Sequence, residues 1–140
     1  MDKETSELIE KIEVAGEGSR ELDLKIAQYV GRVPTGATYD PVESVAWHNR
    51  LPYTLPFYVR SYDGALTMVP QGWIVEIRRH FNNDGEYVAD VSLTDSFTVG
   101  RGCDPEEKAS VSSRIVERKQ GVDPTPAAIC AAALKARASL

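Results

Sequence analysis

Residues 73–94 read WIVEIRRHFNNDGEYVADVSLT, and the spacing of their apolar residues decides the fold. Trp73, Val75 and Ile77 alternate with Glu76, Arg78 and His80, the period of two that sets alternate side chains on opposite faces of a strand. Asn82, Asn83, Asp84 and Gly85 form a turn signal, because Asn, Asp and Gly accept positive φ. Tyr87, Ala89, Val91 and Leu93 then repeat the alternation on a returning strand. Farther on, ASVSSRIVERK (109–119) reads as a third strand, with Val111, Ser113 and Ile115 on one face.

The apolar face of such a meander needs a cover, and the sequence supplies one in DPTPAAICAAALKARASL (123–140). Thr125 is the expected N-cap, Pro126 suits the first helical position, and Lys135 and Arg137 complement the negative end of the helix dipole. Alanine has the highest helix propensity and leaves a thin helix that can lie close to a sheet, with Ile129 and Leu134 as its larger contacts. The expected fold is α+β: an antiparallel meander of three to four strands packed by helices.

Upstream, SRELDLKIAQYVG (19–31) is a helix with Ser19 as N-cap, Leu22 and Ile26 on one face, and Gly31 as the left-handed residue that closes it. Ser61 starts a short helix ending before Pro70 and Gly72. Between them, residues 32–60 contain Pro34, Pro41, Pro52 and Pro56 and no clear period, which reads as an ordered loop packed by Trp47, Tyr53, Phe57 and Tyr58. Residues 1–18 form a short amphipathic helix whose stripe, Leu8, Ile9 and Ile12, is small enough to predict an arm docking on a second protomer. The expected organisation is therefore an arm over 1–18 and a single α/β sandwich domain over 19–140.

The chain has 140 residues with a net charge of −5, which disfavours general binding to nucleic acid or anionic membrane. No apolar run is long enough for a membrane span and the N-terminus lacks the apolar core of a signal peptide, so a cytoplasmic protein is expected. Cys103 and Cys130 are expected to be free thiols. His48 and His80 are the only histidines and do not form a metal-ligand pair. Neither a nucleophile elbow nor a phosphate loop is present. Catalytic residues, metal and cofactor are thus all expected to be absent, and the chain reads as a non-enzyme.

The runs LDLKIAQYVG (22–31), SYDGALTMVPQGW (61–73) and TPAAICAAALKA (125–136), the last two separated by a hairpin, resemble the phage and prophage α-β-α sandwich domain family, whose members are mostly of unassigned function. The matching residues include Val69, Pro70, Gly72, Trp73, Pro126, Cys130 and Leu134. The resemblance implies the sandwich fold and a viral origin; its motifs are structural and name no chemistry.

Two stretches carry recognition chemistry. AWHNRLPY (46–53) places Trp47, His48, Arg50 and Tyr53 together, and flat rings with a guanidinium suit stacking on a base and pairing with an anion. Arg78, beside Arg79 in the first strand, extends the candidate ligand-binding set, and Arg101, Arg114 and Arg118 could add to a local basic surface. The leading expectation is a phage or prophage accessory protein that binds a host protein or sequesters a small anionic, nucleotide-like host defence signal in the host cytoplasm. The alternatives are a homo-oligomeric structural or interaction protein and a small hydrolase with an unrecognised site.

Overall fold

The computed structural model describes residues 2–15, 18–95, 110–118 and 120–139. The expectations for Arg101 and Cys103, and for a further strand within 96–109, lie outside them. Among the described residues the elements run α1 (Lys3–Ala15), α2 (Arg20–Tyr29), β1 (Thr38–Asp40), β2 (Val45–His48), β3 (Leu51–Thr54), α3 (Tyr62–Leu66), β4 (Trp73–Phe81), β5 (Tyr87–Asp95), β6 (Ser110–Val116) and α4 (Thr125–Ala138). The strands form two antiparallel sheets, ordered β1-β2-β3 and β4-β5-β6. The α+β class is as expected. No helix among the described residues is long and apolar enough to cross a membrane.

The β4–β5 hairpin pairs Val75 with Leu93, Ile77 with Val91 and Phe81 with Tyr87. Its turn closes with the Gly85 N–H donating to the Asn82 carbonyl, while Gly85 takes a φ of 78°. β6 adds Val111, Ser113 and Ile115 to the same face as Leu93, Val91 and Ala89. That face meets α4, as the alternation predicts.

Helix α4 is more than a cover. Every residue from Thr125 to Leu134 is buried, because the helix touches β5 and β6 on one side and α1 and α3 on others. The alanines let all these elements approach one axis, and Ile129 and Leu134 fill the remaining space with no exposure. The helix begins one residue earlier than the sequence indicates. Thr125 is its first residue, and the Asp123 carboxylate accepts both the Thr125 N–H at 2.9 Å and its hydroxyl at 2.6 Å. A carboxylate there satisfies an otherwise orphaned amide and complements the helix dipole.

Leu8, Ile9 and Ile12 are buried within their own chain, where α1 packs on α4 and β6. This corrects the arm expectation for that stripe: a narrow apolar face suffices when its partner is an alanine helix that can be approached closely. Helix α2 ends as expected in a double-bonded left-handed cap. The Gly31 N–H reaches the Gln28 carbonyl, the Arg32 N–H reaches the Ala27 carbonyl, and Gly31 has φ 78°.

Residues 32–60 depart most from expectation. They contain the whole first sheet, with Tyr39 paired to Ala46 and Ala46 to Tyr53. Pro52 sits in edge strand β3 opposite Trp47; beside a two-residue turn that is a non-hydrogen-bonded pair, so its missing N–H faces away from the sheet. In α3, Ser61 caps the Gly64 amide and Gly64 lies against the Phe57 carbonyl, where an added Cβ would come within 2.1 Å of the oxygen. Leu66 of this helix is exposed, whereas Met68 just beyond it is buried.

Candidate functional site

The AWHNRLPY segment folds as a hairpin. β2 and β3 flank a two-residue turn, Asn49-Arg50, closed by the His48–Leu51 pair. Both turn residues have positive φ, 50° and 65°, the geometry of the tight turn that matches strand twist. Asn tolerates this conformation. Arginine does not gain from it, and glycine is the residue ordinarily found second in such a turn.

The hairpin brings four of the candidate residues together in sequence but divides them in space. Ala46 is fully buried, and Tyr39 and Tyr53 flank it across the strands and pack on the core. Tyr53 therefore serves as scaffold on the inner face. Alternation puts Trp47 on the opposite face, half-buried, with Thr38 and Pro52 as its cross-strand neighbours. His48 is half-buried near the tip, where a Cβ built on Gly36 would lie 3.2 Å from its Nε2. Arg50 is exposed at the tip.

Arg78 belongs to the second sheet, on the face turned away from α4. A cleft of about 630 Å³ is lined by Glu76, Arg78, Asp90 and Arg114 of this sheet together with Glu13 of α1 and Lys135 of α4. Each cation in it already has a carboxylate. Arg78 meets Glu76 at 2.9 Å, Arg114 meets Asp90 at 2.6 Å, and Lys135 meets Glu13 at 3.3 Å. An incoming anion would have to displace a carboxylate at every one of these positions. Arg79 projects to the other face and donates to the Tyr62 hydroxyl at 3.1 Å.

The sequence gives no warning of the polar clamp beneath the first sheet. Arg20 lies between two rings, 5.2 Å from the Tyr39 centroid and 3.9 Å from that of Phe57. Its guanidinium donates to the Leu55 carbonyl at 2.7 Å and the Pro56 carbonyl at 3.1 Å, and pairs with Asp23 at 2.9 Å. Asp23 is buried and accepts the Tyr58 and Val59 amides at 3.0 and 3.3 Å. Burial pushes the Asp23 carboxyl up, against the opposing pull of Arg20 and the two amides. All of these guanidinium and carboxylate contacts are internal, so the clamp is structural.

Cys130 donates its thiol to the Tyr58 carbonyl, and burial raises its pKa; this thiol is held as a packing group. No cluster of three His, Cys, Asp or Glu residues among the described residues could hold a metal ion. Arg20, Arg60, Arg78, Arg79, Arg114 and Arg137 are all engaged in hydrogen bonds. Arg50 has no partner among the described residues, and it stands in the left-handed backbone region that favours glycine.

Comparison of the chain with protein-family models, with curated proteins and with solved structures finds no match.

Proposed function

We propose that the chain is a binding protein without catalytic activity, and that the β2–β3 hairpin presents Arg50 to a small anionic, nucleotide-like ligand. One observation carries this reading. Arg50 stands with φ 65° where glycine would be less strained, and its guanidinium has no partner among the described residues. Non-glycine residues in the left-handed region cost about 1–3 kcal/mol and cluster at functional sites. A side chain that contributes nothing to the fold, at a position that costs stability, is explained when a ligand uses it.

The division of the hairpin narrows the site. Trp47 supplies a ring on one face, worth about 1–3 kcal/mol if a base stacks on it. His48 lies toward the other face. Arg50 between them supplies a charge-assisted contact, roughly twice as strong as a neutral one. Arg78 lies in the other sheet, paired with Glu76, and we leave it out of this set. The resemblance to phage and prophage domains implies a viral origin and names no chemistry; the role of an accessory protein that sequesters a nucleotide-like signal is our reading of the hairpin.

The test is a thermal-shift panel of nucleotides and cyclic nucleotides on the wild type, Arg50→Ala and Arg50→Gly. A ligand at 100-fold over its dissociation constant adds about 2.7 kcal/mol to the wild type. Arg50→Ala keeps the backbone conformation and should lose that response. Arg50→Gly relieves about 1–2 kcal/mol of left-handed strain and gives back about 0.5–1 kcal/mol in chain entropy. It should therefore melt slightly above the wild type while losing the ligand response. A full response in Arg50→Gly places the site elsewhere, and a panel with no shift in the wild type rules out the nucleotide class.

A further inference from the structure

The free edge of β4 points to a second copy of this chain as its partner, and we propose that two protomers pair antiparallel along β4 about a two-fold axis at Ile77, making one continuous six-stranded sheet. The proposal goes beyond the hairpin reading and does not depend on it.

The first argument is the contrast among sheet edges. Unpaired edges template association, and proteins blunt them with short strands, prolines or covering groups. β1 has three residues, and β3 has four including Pro52. β6 is covered: α1 packs on it, and Lys135 donates to the outward-facing Ser112 carbonyl at 2.8 Å. β4 has nine residues, no proline and no strand but β5 beside it among the described residues. It also carries Ile74, Ile77 and Phe81 at 51%, 37% and 71% exposure.

The second argument is register. The Asn82 N–H donates to the Glu86 carbonyl, so by strand alternation His80, Arg78, Glu76 and Ile74 direct their backbone groups to β5. Phe81, Arg79, Ile77 and Val75 direct theirs to the open edge. Trp73 agrees with this phase, since its N–H bonds to the Pro70 carbonyl instead of β5. A two-fold at Ile77 matches outward groups with outward groups along the whole strand. Val75 then faces Arg79, Ile77 faces Ile77, and each such narrow pair exchanges two main-chain hydrogen bonds, about six in all.

The side chains agree with the same centre. Trp73 falls opposite Phe81, Ile74 opposite His80, and Glu76 opposite Arg78 in both directions. Glu76 and Arg78 share the face turned from α4 and are already 2.9 Å apart within one strand, so the two copies form a closed square of alternating charge. Axes one residue away fail. A two-fold at 76 sets glutamate against glutamate, and one at 78 sets arginine against arginine, each destabilising. Arg79, whose charge would otherwise guard the edge from the inner face, is drawn onto the Tyr62 hydroxyl.

Light scattering after size exclusion tests the proposal on the full chain. The wild type should have twice the 15.4 kDa protomer mass. E76R and R78E each place like charges across the axis, and each alone should run at the protomer mass with unchanged circular dichroism. Mixed in equal amounts they should form a one-to-one dimer, because the two arginines of one chain then face the two glutamates of the other. A purely intrastrand role for the pair predicts no such rescue. A wild type at the protomer mass, a dimer that survives in either single variant, or a mixture that stays monomeric overturns the proposal.

Discussion

The β4–β6 sheet lays Ala89, Val91, Leu93 and Ile115 against α4 along strands of seven to nine residues, whereas the β1–β3 sheet has strands of three or four and fully buries only Ala46. The first is held by apolar area, at roughly 25 cal/mol per Å² removed from water. The second has little such area to offer. It is held by the clamp on α2, in which Arg20 and Asp23 bind the main chain of residues 55–59 and the ring of Tyr39. A short sheet can be positioned by a few directional contacts where a long one relies on many weak ones. The corollary is that its stability is concentrated in very few atoms.

That concentration makes the largest prediction. Asp23→Ala removes the acceptor of two buried amides and the partner of a guanidinium whose side chain is only 19% exposed. Breaking a buried pair from one side costs about 3–5 kcal/mol. The midpoint of urea unfolding should fall accordingly, and hydrogen exchange should speed up in residues 38–59 before it does in 87–95. A loss below about 1 kcal/mol, within the range of an exposed ion pair, would mean that the first sheet is held by something other than the clamp.

The second sheet should respond to volume instead of charge. Ala132 is fully buried in α4, so Ala132→Leu forces the added carbons of the larger side chain into close-packed surroundings and should cost about 1–3 kcal/mol. Here the effect is expected to spread through β5, β6 and α1 together, since all of them contact α4. A variant that melts like the parent would show that the helix is less tightly enclosed than its burial indicates.

The same difference explains what the sequence discloses. β4, β5 and β6 were legible because long strands with one buried face write several cycles of alternation. The caps of α2 were legible because Ser19 and Gly31 are local devices whose partners lie within a few residues. β1, β2 and β3 are too short for a period to emerge, Pro52 argues against a strand, and Asn-Arg hides a turn that Asn-Gly would announce. Asp23 reads as an ordinary first-turn carboxylate, because the amides it serves are 35 and 36 positions away. The stripe on α1 was legible, but its destination depends on how closely α4 can be approached. Of the candidate site, the hairpin residues were found together; which face each occupies follows from a register the sequence does not display.

The smallest effect expected is at a polar anchor at the start of the second sheet's backing helix. Burial opposes the charge on Asp123, but hydrogen bonds from Thr125 and Tyr62 outweigh it and hold the carboxyl below its ordinary value of 3.8. A carboxyl lowered in the folded state contributes stability that is present above its unfolded pKa and is lost as pH falls through its folded one. Asp123→Asn keeps an oxygen acceptor for the Thr125 amide but cannot titrate. Because Asp123 is exposed, solvent screens most of the charge contribution, and the variant should lose under about 1 kcal/mol at neutral pH. The deficit should shrink as pH drops below about 4, where the wild-type carboxylate begins to protonate. Urea midpoints for the two proteins at neutral and acid pH measure it directly. A deficit that stays constant across that range would mean that Asp123 acts only as a neutral cap for α4.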